Sequence, residues 1–170
     1  SDWRIKLDMF YINISDGNQN IIPIVIENNY FASVLHYILF YKYYNRPDIS
    51  GRKFLDYNIF ANNLLLNKNG KYSKIWGKDL LYLEYKYNLK PHYDWESIKD
   101  SVVRRAQYAK FFQNENFKDI LLKTNQSVLI KKLEDSKILI NYELMEVRYL
   151  LNNELAPIRF YDRDYIQDKQ

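Results

Sequence analysis

The sequence predicts a mainly helical α+β fold: a single domain over residues 1–155 with a small N-terminal β-sheet, then a polar tail over 156–170. Three observations carry this. Apolar residues recur at helical spacing over residues 33–44, 53–66, 94–114 and 139–151. Short runs with strand character come before the first of these helices. No linker, internal repeat or low-complexity tract interrupts the 170 residues, a length that suits one domain with a substantial core.

The elements follow in order. Residues 3–14 alternate loosely between apolar and polar, as a strand does. Ser15-Asp16-Gly17-Asn18 is a turn signal. Residues 21–26 are β-branched and bounded by polar residues, and Pro23 assigns them to a sheet edge. Residues 33–44 form a helix with Ser33 as N-cap; it is apolar on nearly every face, which predicts burial. Arg46-Pro47-Asp48 ends it, because proline cannot continue the helical bonding.

Residues 53–66 form a helix with apolar Phe54, Leu55, Ile59, Phe60 and Leu64, and Asn67-Lys68-Asn69-Gly70 is a loop. Residues 80–89 suit either strand or helix. Residues 94–114 give the strongest helix, with Asp94 as N-cap and Trp95, Ile98, Val102, Ala106, Ala109 and Phe112 on one face. Phe117, Ile120 and Leu121 mark a short helix capped by Asn114 or Asn116, and Val128-Leu129-Ile130 a brief strand. In the closing helix, 139–151, Ile140, Leu144, Val147 and Leu151 share a stripe.

Composition excludes several kinds of chemistry. Hydrophobic residues at 47% and charged residues at 27% describe a globular chain. With no cysteine there is no disulfide, thiolate metal site or Cys nucleophile, and an intracellular location, cytoplasmic or nuclear, is expected. Two histidines, His36 and His92, are too few and too far apart for a His-based metal site. The four glycines are isolated, so there is no phosphate loop, and no cofactor is called for. The most apolar run, 31–41, is broken by Ser33 and His36 and is too short to cross a bilayer; no signal peptide is visible and no membrane partner is expected. A net charge of +4 suits a nucleotide or phosphate ligand. The 17 Tyr, with abundant Asn, Ile and Lys, match what an AT-rich genome produces. The chain opens on Ser1-Asp2 rather than Met, as an excised piece or a cleaved product does.

The second half carries an ordered pattern. Asp94-Trp95-Glu96-Ser97-Ile98-Lys99 opens a helix that continues through Arg104-Arg105-Ala106 to Ala109-Lys110-Phe111. Then come Leu121-Leu122, Thr124 and Leu144-Met145-Glu146-Val147-Arg148. This resembles the NADAR family (NAD and ADP-ribose associated), with its W-E-x-[IV]-K start, R-x-A-x-x-A-K-F helix, L-L-x-T turn and L-M-E-[LV]-R helix. Upstream, Ser33-Val34-Leu35-His36-Tyr37 and Lys42 fall where the family has T-S-E-H-Y followed by K-F, and Asn18 and Pro23 fall near its F-S-N-F turn and entry strand.

The resemblance implies an N-glycosidase ancestry, acting on a ribosylated pyrimidine intermediate or on ADP-ribosylated guanine. Such chemistry needs a carboxylate near the anomeric carbon. By the resemblance, the family Glu is Leu35 here, which can neither accept a proton nor bear charge. The family's W-G-x-G loop is replaced by residues 131–137, with no Trp or Gly, and Lys131 replaces a further family Glu. Losing an essential acid removes a rate term of roughly 10²–10⁴. The expectation is a catalytically degenerate domain, with no catalytic residue, serving as a binding or assembly module for a protein partner or parent chain.

Each candidate site residue has two readings. His36 lines a remnant nucleotide-like pocket or is a core histidine. Lys42 meets a phosphate or lies on a solvated helix face. Trp95 stacks on a base or anchors the core. Arg104 and Lys110 form an anion site or are surface charges. Glu27, Glu134 and Asp135 are the acids that could stand in for Leu35 in an alternative, active N-glycosidase. The interleaved Lys68, Lys71, Tyr72, Lys74, Trp76 and Lys78 bind single-stranded nucleic acid or form a solvated loop.

Overall fold

The computed structural model describes residues 3–14, 20–133 and 135–157, and the chain divides into two compact units, Ser1–Lys99 and Asp100–Gln170. Among the described residues the architecture is mainly helical, with six α-helices and two small antiparallel hairpins.

In the first unit, the strand expected over 3–14 is absent. Trp3–Leu7 is a 3-10 turn instead. Local bonds prevail there: the Asp8 side chain accepts from Phe10 N–H at 2.8 Å and its carbonyl from Tyr11 N–H at 3.2 Å. Only Ile14 pairs as a strand would, in an isolated bridge to Ile21. β1 (Ile24–Ile26) is shorter than the expected 21–26, and Pro23 stands just ahead of it. It pairs with β2 (Asn29–Phe31), and Glu27 and Asn28 link them at φ 52° and 65°, the two left-handed positions of a tight hairpin turn.

α1 (Val34–Tyr43) follows Ser33, whose hydroxyl accepts from His36 N–H at 3.3 Å, and Leu35 N–H donates to the Met9 carbonyl at 3.0 Å. The start of the helix is therefore satisfied from within the chain. Every α1 residue except Lys42 is buried, as the all-round apolar sequence predicts. Phe31 packs edge-on against Tyr37 and Phe40. Asn45, at φ 51°, breaks the helix ahead of Pro47.

α2 (Gly51–Asn62) stops four residues before the expected end at 66. Its inner face is Tyr57, Phe60 and Ala61, because Tyr57 and Phe60 pack edge-on against Tyr43. Leu55 and Ile59, expected inside, point to solvent. After a 3-10 turn at Leu66–Lys68 comes Gly70, where a Cβ would lie 2.2 Å from the Asn63 carbonyl oxygen. Only glycine fits while Tyr72 N–H bonds that same oxygen at 2.8 Å. α3 (Gly77–Lys86) is helical and buries Leu80 and Leu83.

α4 (Trp95–Phe112) buries Trp95, Ile98, Val102, Ala106 and Phe111. Phe112, expected inside, is exposed. It stands six residues beyond Ala106 and so points about 120° away at 3.6 residues per turn. α5 (Glu115–Leu122) is capped by Asn114, whose side-chain oxygen accepts from Phe117 N–H at 3.1 Å.

β3 (Ile130–Lys132) and β4 (Ile138–Ile140) form the second hairpin, pairing Ile130 with Ile140 and Lys132 with Ile138. The expected closing helix thus loses residues 139 and 140 to β4. Asn141 caps the helix, its side chain accepting from Leu144 N–H at 3.1 Å, and α6 runs Tyr142–Asn152. Leu144, Val147 and Leu151 are buried as expected, while Ile140 is not on their stripe. The strand expected at 128–130 starts two residues later, and β-structure is not confined to the N-terminal end. Most of the tail from 156 lies outside the described residues. No helix among them is long and apolar enough to cross a membrane.

Candidate functional site

α1 brings the first candidates together. Leu35 is 2% exposed, its side chain within the core and its N–H committed to Met9. His36 is fully buried, and both ring nitrogens are committed. Nε2 lies 3.1 Å from the Tyr72 carbonyl and Nδ1 2.6 Å from the Ser33 hydroxyl. A carbonyl only accepts, so Nε2 carries the proton and Nδ1 accepts from Ser33. Burial pushes the imidazole pKa down from 6.5 to about 4, against a smaller opposing effect of the Tyr72 carbonyl. His36 is therefore a neutral core histidine; it does not line an open pocket.

Lys42 does not lie on a solvated helix face. Its ammonium is 2.8 Å from Glu84 Oε2, and it sits over the rings of Trp95 at 5.2 Å and Tyr43 at 5.5 Å. The Tyr43 hydroxyl donates to the same carboxylate oxygen. Burial raises the Tyr43 pKa strongly, and the Glu84 bond adds to it. Trp95 is buried at the start of α4. Sequence reading missed Glu84: its partners lie 41 and 42 residues away, and no local spacing signals them. Lys42 stands seven residues after Leu35, on the same face of α1 about 10 Å along the axis.

A second polar group was also missed. Buried Arg46 grips Asp48 through Nε at 2.7 Å and Nη2 at 2.5 Å, which holds the Asp48 carboxyl below its usual range. Asp94, at the expected N-cap position of α4, holds His92 Nδ1 at 2.5 Å.

The remaining candidates are scattered. Asn18 and Glu134 lie outside the described residues. Glu27 is exposed on the β1–β2 turn, and Asp135 is exposed beside β3, with its side chain bonded to Lys137 N–H at 3.0 Å. Arg104 pairs with Glu146 at 2.8 Å, though its Nε–H is not aligned for a hydrogen bond. Lys110 is no surface charge: it is 1% exposed, over the rings of Phe111 at 5.1 Å and Phe117 at 5.7 Å. In the lysine-rich segment, Lys68, Lys71, Lys74 and Lys78 are exposed and Trp76 is half out. Tyr72 is buried, its hydroxyl 2.6 Å from that of Tyr87, so its ring is not open for stacking. Among the described residues no three His, Cys, Asp or Glu side chains are grouped to hold a metal.

No curated protein matches the chain and no solved structure matches it. The NADAR domain model matches residues 7–138, from the last residue of the N-terminal 3-10 turn to the first residue of β4. That span takes in α1, α2, α3, α4 and α5. The chain belongs to the NADAR domain family.

Proposed function

We propose that this NADAR domain does not cleave N-glycosidic bonds and works as a binding or assembly module. The observation that carries this is the environment of Leu35. By the resemblance, the family acid belongs at this position, yet the side chain is 2% exposed on a helix whose first N–H groups are already bonded. Its neighbour His36 is fully buried with both ring nitrogens hydrogen-bonded within the chain, so neither is open to a substrate proton. The interval of the family's W-G-x-G loop is a β-hairpin whose outward face is Ile130, Lys132, Ile138 and Ile140.

The test is direct: incubate the purified chain with a ribosylated pyrimidine and with ADP-ribosylated guanosine, and follow base release by chromatography. The expected result is release at the spontaneous rate. Turnover at an enzymatic rate would refute the proposal. One observation favours a second reading, an active N-glycosidase: Glu84 is a carboxylate held by Lys42 and Tyr43 beside Trp95. In that case release would be measurable in the wild type and lost in Glu84→Gln.

A further inference from the structure

We infer that α3 and the lysine loop before it form a surface for single-stranded nucleic acid, with lysines meeting phosphates and exposed tyrosines stacking on bases. This rests on the binding half of the reading above and names a ligand class for it.

The helix supplies the first part. On α3, Lys78, Tyr82, Tyr85 and Lys86 are all exposed, and their spacing of four, three and one puts them on one stripe. Tyr85 is 82% exposed and Tyr82 58%, with ring centroids 6.1 Å apart. Two adjacent rings, both bare to solvent and flanked by cations, leave apolar area that the fold does not use. α3 itself carries two acids: Asp79 stands at the edge of the stripe, and Glu84 is already bound by Lys42 and Tyr43.

The loop supplies the second part. The Lys71 ammonium sits 5.7 Å over the Tyr72 ring, and Lys86 sits 5.4 Å over the Tyr87 ring. The two tyrosines are joined through their hydroxyls at 2.6 Å. This row of Lys71, Tyr72, Tyr87 and Lys86 ties the loop lysines to the end of the α3 stripe, with Tyr87 42% exposed between two cations. Trp76 adds a further half-exposed ring, edge-on to Tyr11.

Cations next to sequence-tolerant stacking platforms are what a single strand requires, because its bases are unpaired and its phosphates flexible. A duplex hides its π-faces, and an acidic peptide offers charge without bases. The partner is therefore defined by having both.

The experiment uses the full chain and fluorescein-labelled oligothymidylate of about 12 nucleotides, a length within the site sizes of single-strand binders. Anisotropy should show binding whose logarithm falls with the logarithm of salt at a slope of about −2, for about three phosphate contacts. Tyr85→Ala should weaken binding about tenfold or more, with little change in that slope. Lys86→Glu should weaken it and flatten the slope by about one. Lys132→Glu makes the same charge change on β3 and should leave affinity within about twofold. Circular dichroism verifies that each variant, altered only at an exposed side chain, remains folded.

Absence of binding at low salt would overturn the inference, as would equal affinity for a duplex. Loss with Lys132→Glu as large as with Lys86→Glu would reduce it to general charge attraction and overturn it. Equal competition by poly-glutamate would assign the surface to an acidic protein instead. None of these readouts depends on base release, so failure here leaves the proposal of lost catalysis standing, and the reverse also holds.

Discussion

α1 and the β3–β4 hairpin are both rich in aliphatic residues, and both fall where the family resemblance locates its chemistry. They use those residues in opposite ways. α1 turns Val34, Leu35, Ile38 and Leu39 inward with its rings, and even His36 is closed off by Ser33 and Tyr72. The hairpin turns Ile130, Ile138 and Ile140 outward. The contrast teaches that apolar content alone says little about a segment's role. In α1 the surroundings fill every side of the helix, so each residue is constrained. In the hairpin the outward residues have water on one side and are free to change.

The sharpest break of this comparison is Leu35→Glu. A carboxylate placed at this position would be taken out of water, and the change should cost about 4 kcal/mol or more, read by chemical denaturation. Restoring the family acid should therefore unfold the domain rather than activate it. A folded Leu35→Glu protein that releases base would show that α1 can still open.

A somewhat smaller effect is expected from pH. The folded pKa of His36 lies near 4, below its unfolded value of 6.5. Its contribution is complete above 6.5 and is lost as pH falls toward about 4, where the unfolded chain binds the extra proton first. That loss amounts to about 3 kcal/mol. His36→Gln, which keeps a donor for Tyr72, should show a correspondingly shallower fall in denaturation midpoint between pH 7 and pH 4.5.

Next comes Glu84→Gln. It removes the charge facing Lys42 and weakens the bond from Tyr43, for a cost of about 1–2 kcal/mol in the same assay. The smallest effect belongs to the hairpin: Ile138→Ser should change stability by no more than about 0.5 kcal/mol. A loss as large as that of Leu35→Glu would mean that the outward face is covered after all.

Much of α1 was legible, because Ser33 followed by an unbroken apolar run permits little else. α4 and α5 were legible for similar reasons: Trp95, Ile98, Val102 and Ala106 keep helical period, and Asn114 stands where a cap is needed. The N-terminal 3-10 turn was not, since loose alternation over 3–14 resembles a strand until Asp8 bonds its own neighbours. Leu139 and Ile140 read as the start of a helix because Ile140 is in phase with Leu144; only the cap at Asn141 separates them. The site was less legible still. That Leu35 replaces an acid follows from the resemblance, but its burial depends on Met9 and the packed rings. The Glu84 clasp and the Tyr72–Tyr87 hydroxyl contact join residues 41 and 15 positions apart, and pattern reading within a window does not reach that far.

Tyr72 is tethered at both ends. Its main-chain oxygen belongs to a histidine deep in the core, and its phenol reaches the surface at Tyr87. Between Asn63 and Trp76 the backbone therefore hangs from an interior peg, with Gly70 letting it pass close to Asn63. The lysine ammonium groups on this strap belong to neither tether, so exchanging Lys71 or Lys74 should alter the charge of this edge while both anchors hold its course.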